Sequence, residues 1–566
     1  MDAITPSETP VYQPKPSADL LAPETAPTAI VIEPLNLEES PQTRTSLRLY
    51  AILLGLYLAL FVAALDQTIV SISIPTIAAE LHSATGYVWI GGAYLLASAA
   101  TGPVWSKFSD IWGRKLMLLV AVSLFAASSV LAALSRNMSM LIAGRALQGA
   151  ASGGLGQLVT ITISDLFSVR KRTLYMGFVG FVWALAGSAG PLIGGALTEY
   201  ASWQWCFWIN LPISGATFIL LLIFLDVHNP HTKLVEGARA VDWLGTLSIL
   251  ALTLLLLVGL DLGGVIFPWS SPKVICLLVF GALMIGLFVF VEQHLAKYPL
   301  MPLNVFKNWS NNAAFLVALS HAMVLIGMEY YLPLFFQSVR QASPLRSGVL
   351  MLPLIVTQAV AEILAGVVLH LTGRYRESIW AGATLMTIGT GLYIHFSTET
   401  SVSVLVGLEI FGALGPALLF QGPTVAIQNT VSQVNTASAT ASLNFIRNIG
   451  MSLSVIVGGV VFQNSMDAQE SVFAAAGLDE SVLEALSGSQ AAANVGIAAS
   501  IQDSSQRQVV LKAFEESMGN MFIMYTCLAA AAMIASTFIK HRDLKTEHRE
   551  TKTGIQHLNK ETNTME

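Results

Sequence analysis

From Leu49 to about residue 539 the chain alternates apolar stretches with short polar links. The stretches run to about 20 residues, the length an α-helix needs to cross roughly 30 Å of hydrocarbon. Continuous runs of this kind exclude membrane-spanning β-strands, which alternate apolar and polar residues over about ten positions. The spans read as 49–75, 86–104, 115–135, 138–163, 173–197, 204–226, 242–262, 272–292, 312–337, 346–370, 377–396, 402–426, 438–463 and 518–539. Composition agrees. Of 566 residues 54% are hydrophobic and 11% charged, with a net charge of −6, against about 25% charged in soluble domains. So few charges cannot coat several soluble domains, which excludes an ordinary soluble enzyme, a broadly basic nucleic-acid binder and a disordered scaffold. The fold class expected is an all-α polytopic membrane protein with about fourteen transmembrane helices.

Residues 1–45 differ from the rest of the chain. Pro recurs at positions 6, 10, 14, 16, 23 and 27, and no basic start leads into an apolar core. They read as a disordered cytoplasmic tail rather than a cleaved signal peptide. Lys107, Arg114, Lys115, Arg170, Lys171, Arg172, Arg374 and Arg376 fall in even-numbered links, and Lys540, Arg542, Lys545 and Arg549 in the C-terminal tail. By the positive-inside rule both termini are cytoplasmic. The long link 464–517 then faces outward, with amphipathic pieces at Glu480–Leu486 and Gln506–Met518 that read as a partly helical cap. Cys206, Cys276 and Cys527 form neither a pair nor a metal-binding spacing.

The chain also repeats itself. Asp110, Gly113 and Arg114 in the second link are matched some 260 residues later by His370, Gly373 and Arg374. An embedded acid followed by a proline occurs in the first span (Asp66, Pro75) and the ninth (Glu329, Pro333). Internal repeats of this type point to transporter architecture, here six helices, two inserted helices, then six more. The segments expected are a tail over 1–45, an N-terminal six-helix bundle over 46–228, and two inserted helices over 229–298. A C-terminal bundle over 299–540, with its external loop, and a cytoplasmic tail over 541–566 complete the chain.

Charges inside spans carry the chemistry, because a charge at the bilayer centre costs about 2.5–3.5 kcal/mol on insertion scales. Asp66 stands alone in the first span. In a water-poor cavity it would exchange protons; close to the outer end it would simply stay hydrated. In the fourth span Arg145, Gln148, Gly149 and Ser152 share one helical face, and a permanent cation there needs a partner or a water-filled cavity. A structural ion pair is the plainer reading. Glu329, Glu362, Glu409 and Arg447, with Gln358, Gln421 and Asn444, are further polar residues in later spans. Each either pairs with a neighbouring helix or touches a substrate. In the fifth span Ala186, Gly190 and Gly194 recur every four residues, the small-residue face that lets helices approach closely, and Pro191 removes one helical hydrogen bond. Tyr330, Tyr331, Phe335 and Phe336 read as an interfacial aromatic belt in preference to a stacking patch for a planar ligand. There is no zinc-protease motif, nucleophile elbow or phosphate loop. Neither enzymatic activity, nor a cofactor or metal, nor direct use of ATP or nucleic acid is expected.

Together these segments resemble the major facilitator superfamily, and specifically its fungal fourteen-helix drug–proton antiporter branch. Ser106 to Lys115 looks like the superfamily's loop signature, the fourth span like the motif around its arginine, and Gly177, Gly190, Pro191, Gly194 and Gly195 like the antiporter motif. Asp66 to Pro75 is similar to the branch's first-helix signature. The strings Trp205–Pro212, Glu329–Gln337 and Leu443–Gly450 are similar to fungal members. Ser106, Ala186 and Gln204 depart from the usual Gly, Gly and Arg. The resemblance implies two six-helix bundles rocking around a central site, with export driven by proton entry. Asp66, Arg145 and Glu329 would couple the proton, while Gln148, Glu362, Glu409, Asn444 and Arg447 would line the substrate cavity. Asp110, Gly113, Arg114 and Lys115 would gate the cytoplasmic side, and the antiporter motif, with Ala186 in it, would seal the cavity against leak. The expectation is a monomeric proton-coupled efflux pump for amphipathic small molecules (a fungal toxin, secondary metabolite or drug) in the plasma membrane. A siderophore-iron importer, a vacuolar basic amino-acid transporter, and a receptor on the same fold are the competing readings.

Overall fold

The computed structural model describes residues 45–70, 73–81, 86–264, 267–301, 303–432, 435–486, 491, 494, 496–544 and 553–554. The tail over 1–44 and most of 545–566 lie outside the described residues. Among those described, fourteen helices have 15 residues or more: α1 Ser46–Ile69, α2 Gly86–Trp112, α3 Arg114–Ala133, α4 Met138–Leu166, α5 Val169–Tyr200, α6 Asn210–Phe224, α7 Trp243–Leu262, α8 Pro272–His294, α9 Trp309–Ser338, α10 Pro344–Thr372, α11 Tyr375–Tyr393, α12 Val402–Leu419, α13 Thr436–Asp467 and α14 Ser504–Ser536. Polar side chains start several of them by accepting a free backbone N–H of the first turn. Asn137 accepts from Met140 at 2.8 Å, Asp242 from Gly245 at 2.9 Å and Asp503 from Ser505 at 2.7 Å.

Among the described residues, eleven helical stretches are long and apolar enough to cross a membrane. The long helices outside that set are α2, α4 and α11, whose Gly, Ala, Ser and Thr dilute the apolar content. Those small residues serve packing instead. A Cβ at Gly149 or Gly153 of α4 would fall on the backbone of Tyr94 or Ser98 of α2, so the two backbones lie in direct contact.

The core divides by position in the chain. Buried side chains of α1 to α6 form two clusters, one around Leu56, Phe125 and Leu158 and one around Leu65, Trp203 and Phe207. Those of α9 to α14 form a larger one around Phe335, Tyr393 and Phe522. The α7–α8 hairpin contributes Ile249, Leu252 and Phe288, which meet Phe445 of α13. Its outer face exposes Val279, Phe280, Leu283 and Phe290, as a helix against lipid would.

Several expected boundaries shift. The first span is not one helix to Pro75: α1 stops at Ile69, and a short helix Ile74–Glu80 takes Pro75 into its first turn, where the missing N–H costs nothing. The span 402–426 breaks after Leu419 and resumes as Gly422–Thr430, between Pro416 and Pro423. In the long link, Glu480–Leu486 is helical, whereas the amphipathic stretch after Gln506 is the first part of α14. The aromatic belt is overturned for three of its four members. Tyr331, Phe335 and Phe336 are buried against Phe396, Phe522 and Tyr525, and of the four only Tyr330 is exposed.

Candidate functional site: a sealed ion pair, a loop clamp and a line of acids

Asp66 and Arg145 meet in the interior of the first helix set. Asp66 is 0% and Arg145 1% exposed, and Arg145 Nη1 lies 2.5 Å from Asp66 Oδ2. Gln148 Nε2 donates to Asp66 Oδ1 at 3.1 Å, and Asn210 Nδ2 donates to the same oxygen at 2.6 Å. Both amides also reach Ser129 Oγ. Arg145 donates through Nε to the Ile90 carbonyl at 3.0 Å, and its guanidinium lies over Tyr94 at 4.3 Å and Phe207 at 5.8 Å. Two buried charges with this many partners satisfy the condition under which a buried pair is stable. The hydrated-acid reading of Asp66 is excluded by its burial. Asn210 entered the sequence reading only as part of the Trp205–Pro212 string, and Ser129 and Tyr94 were not singled out, being neutral residues in apolar stretches.

A second cluster closes one end of the bundle. Arg114 Nη1 lies 2.6 Å from Asp110 Oδ1, and Nε lies 2.7 Å from Asp165 Oδ2 at the C-terminal end of α4. Gly113 between α2 and α3 has φ +94°, the left-handed region that favours glycine, and a side chain there would also strike Pro230. Lys115 is half-buried beside it. Lys107 donates to the Pro299 carbonyl at 3.1 Å, which ties the link after α8 to the same loop. Asp165 was also missed, being a single acid at the edge of its span. At the corresponding turn of the second set Gly373 has φ +71°, so the repeat holds in backbone geometry. The ion cluster does not recur: Arg374 is exposed, and His370 stands in the place of Asp110.

Hydrogen bonds at this end join the two helix sets. Arg170 donates to the carbonyls of His370 at 2.8 Å and Leu371 at 2.6 Å, at the C-terminus of α10. Arg172 donates to Gln428 Oε1 at 2.8 Å, and Gln428 donates on to Ser164 and Thr440. Asn444 donates to Gln157 Oε1 at 2.8 Å. Asn444 is therefore a link between helix sets. In α5, Gly177 faces the backbone of Glu362 and Ile363 in α10, while a Cβ at Gly190 would meet Thr68 and one at Gly194 the Ile69 carbonyl of α1. Ala186 accepts from Thr68 Oγ1 at 3.0 Å. Gly187 has open space beside it, Gly195 is half-buried, and Pro191, within α5, has a side chain outside the described residues.

The remaining polar residues gather in the second set. Glu362 is 2% exposed; Oε1 accepts from Gln358 at 3.1 Å, and Oε2 has no hydrogen-bond partner. It lies within electrostatic reach of Glu329 and Arg447. Arg447 donates to the Phe420 carbonyl at the break after α12, and His321, also missed in the sequence, shares a hydrogen bond with the Pro416 carbonyl at 3.0 Å. Side chains from α9 and α13 thus occupy carbonyls that the broken helix leaves free. Glu329 is partly exposed. Glu409 stands apart: it is 0% exposed, neither oxygen is hydrogen-bonded, and it lies by Tyr393 between α11 and α12. Among the described residues, no group of three His, Cys, Asp or Glu side chains could hold a metal ion.

The chain matches the family model of the Major Facilitator Superfamily over residues 56–455. It is 42% identical over 504 residues to "Efflux pump dotC" of Dothistroma septosporum, covering 89% of this chain and 86% of that one. It is 41% identical over 512 residues to "MFS-type transporter ppz2" of Metarhizium majus, covering 90% and 88%. Among solved structures it is similar to the proton:xylose symporter XylE, with a TM-score of 0.56 at 13% identity, covering 91% of this chain and 99% of that one. This likeness bears on fold alone. The chain is a multi-pass membrane protein that belongs to the Major Facilitator Superfamily and, within it, to the branch that holds fungal efflux pumps.

Proposed function

We propose that the protein is a plasma-membrane exporter of amphipathic small molecules of the fungal metabolite, toxin or drug class, driven by protons moving the opposite way. The observation that carries this reading is the division of the molecule into two helix sets, each with its own core, that are hydrogen-bonded together at the Asp110 end. Two rigid bodies joined at one end are what alternating access requires. In this reading the first six and last six long helices rock as units, the α7–α8 hairpin rides outside, and the monomer is the working unit. Arg170 and Arg172, reaching across to the second set, hold the shut end, and the Asp110–Arg114–Asp165 cluster fixes the turn beside them. The names of the relatives favour export over siderophore import or amino-acid storage.

Asp66 already has its counter-charge in Arg145, and that pair anchors the interior of the first set. Proton exchange therefore falls to the acids of the second set, Glu329, Glu362 and Glu409, which have no cation within ion-pair distance among the described residues. The test is transport by purified protein in sealed proteoliposomes under an imposed pH gradient, with rhodamine 6G as probe. Dye movement opposite to the proton flow, abolished by a protonophore, is the expected result. No gradient-dependent movement of rhodamine 6G or a panel of neutral and anionic amphiphiles would reject the export reading.

A further inference from the structure

The seat of Glu362 is unusual for an acid. Its side chain leaves α10, in the second helix set, and enters the notch that Gly180 leaves on α5, in the first. A Cβ at Gly180 would fall on Glu362 Oε2. That oxygen has no hydrogen-bond partner, and the residue is 2% exposed. Around it, Gly177 of α5 packs on the Glu362 backbone, and a Cβ at Gly366 would lie 2.7 Å from the Thr173 carbonyl. Gln421, at the break after α12, donates to the Glu362 carbonyl at 3.5 Å, and with its amide turned over it would instead donate to the Thr173 carbonyl and accept from Gly177 N–H. The carboxyl thus sits inside the contact that must separate when the shut end opens, with one oxygen against bare backbone.

We infer that Glu362 is the acid that shuts the Asp110 end of the transporter: carrying a proton it fits the Gly180 notch, and losing that proton it drives α10 away from α5. This rests on the export reading above and names the residue through which the proton acts. A carboxylate confined without partner or water is costly, whereas a neutral carboxyl of the same shape is not. The charged groups facing it are few. Arg447 of α13 is held on the Phe420 carbonyl, and Glu329 of α9 adds a like charge. α5 presents Gly177, Gly180 and the Thr173 carbonyl to it and carries Arg170 on the His370 and Leu371 carbonyls further along α10, and the neutral Gln421 follows α12. About two turns further along α10, His370 bonds with the Arg170 carbonyl at 3.0 Å and is a second titratable group of α10 at this contact. Proton loss and opening are coupled, because only the opened contact hydrates the carboxyl; the proton passes to water on the Asp110 side and the carboxylate left behind keeps α10 from reseating on α5, which is the direction an exporter needs.

The experiment measures the distance between spin labels at Lys171→Cys and Arg374→Cys, two exposed positions flanking the contact. The background carries Cys276→Ser and Cys527→Ser, which removes the exposed thiols. In detergent without substrate, the long-distance fraction is expected to rise about tenfold between pH 5.5 and pH 8.5. Glu362→Gln, a neutral isostere, should hold the short distance at both pH values and lower gradient-driven rhodamine 6G transport at least tenfold. Gly180→Ala, which fills the notch, should show the long distance at both. His370→Gln should keep the pH response. A pH response that persists in Glu362→Gln, or vanishes in His370→Gln, overturns the inference. So does pH-independence of the labelled parent, which decides the matter even if Glu362→Gln fails to fold. A pH response that depends on Glu362 in a protein that moves no probe would reject the export reading and leave this one standing.

Discussion

At the scale of single residues, the buried pair decides what the first helix set tolerates. Removing one partner of a buried ion pair leaves an uncompensated charge and costs about 3–5 kcal/mol, while replacing both by neutral groups costs far less. Asp66→Asn should therefore lower the thermal midpoint of the purified protein well beyond an ordinary core substitution, because Arg145 keeps its charge at 1% exposure. The double variant Asp66→Asn with Arg145→Gln should recover most of the loss. If Asp66→Asn melts like the parent, the pair does not hold the fold in the way its geometry indicates. Asp66 and Arg145 were each legible as charges in apolar spans, where few such residues exist without a purpose. Their pairing was not, because it depends on how α1 and α4 face one another. Asn210 was marked only as part of a family-like string and Ser129 not at all, for a different reason: a neutral polar residue is cheap enough in a helix interior that its presence assigns it no partner.

At the scale of the helix, α5 uses two faces for two neighbours. Gly177 and Gly180 receive α10, while Ala186, Gly190 and Gly194 receive α1. At about 100° per residue, the thirteen positions from Gly177 to Gly190 place the two glycines roughly 140° apart around the axis. The four-residue spacing of the small residues was plain in the sequence, and close packing followed from it. Which helix each face met was not, since spacing along one helix carries no information about its neighbours. Two alanine substitutions separate contact from filler. Gly194→Ala puts a methyl group onto the Ile69 carbonyl and should destabilise by about 1–3 kcal/mol, with a matching fall in folded protein recovered from membranes. Gly187→Ala meets nothing within 4 Å and should leave recovery and melting unchanged. Equal effects at the two sites would mean that α5 does not rest on α1 as described. The break after α12 is the counterpart case: Pro416, Gly422 and Pro423 announced it, and reading one continuous span through them missed the carbonyls that His321 and Arg447 now occupy.

For the whole molecule, the apolar runs announced a helical membrane protein, because that pattern is written in local sequence. The state of the molecule is not written there. It lies in side chains that cross from one helix set to the other, and the arginine run 170–172, legible only as a charged link, turns out to supply two of those crossings. The two sets are also unequal. The first closes its turn with an Asp110–Arg114–Asp165 cluster, whereas the second, with His370 and an exposed Arg374, is held by Arg170 from across the divide. Closure at this end therefore leans on Arg170 and Arg172, and each hydrogen bond to a charged group contributes about 1.5–3 kcal/mol. Losing one should shift the closed–open balance by about tenfold or more, since 1.4 kcal/mol is a factor of ten. Thr440, 1% exposed and bonded to Gln428, lies behind the Arg172 contact and offers a reporter. With Cys276 and Cys527 replaced by Ser, Thr440→Cys should react slowly with a bulky maleimide in the parent. In Arg172→Ala it should react at least tenfold faster, because the open state is then populated. Equal labelling rates in the two proteins would show that the shut end does not depend on Arg172, and would leave closure to the Arg170 bonds with His370 and Leu371.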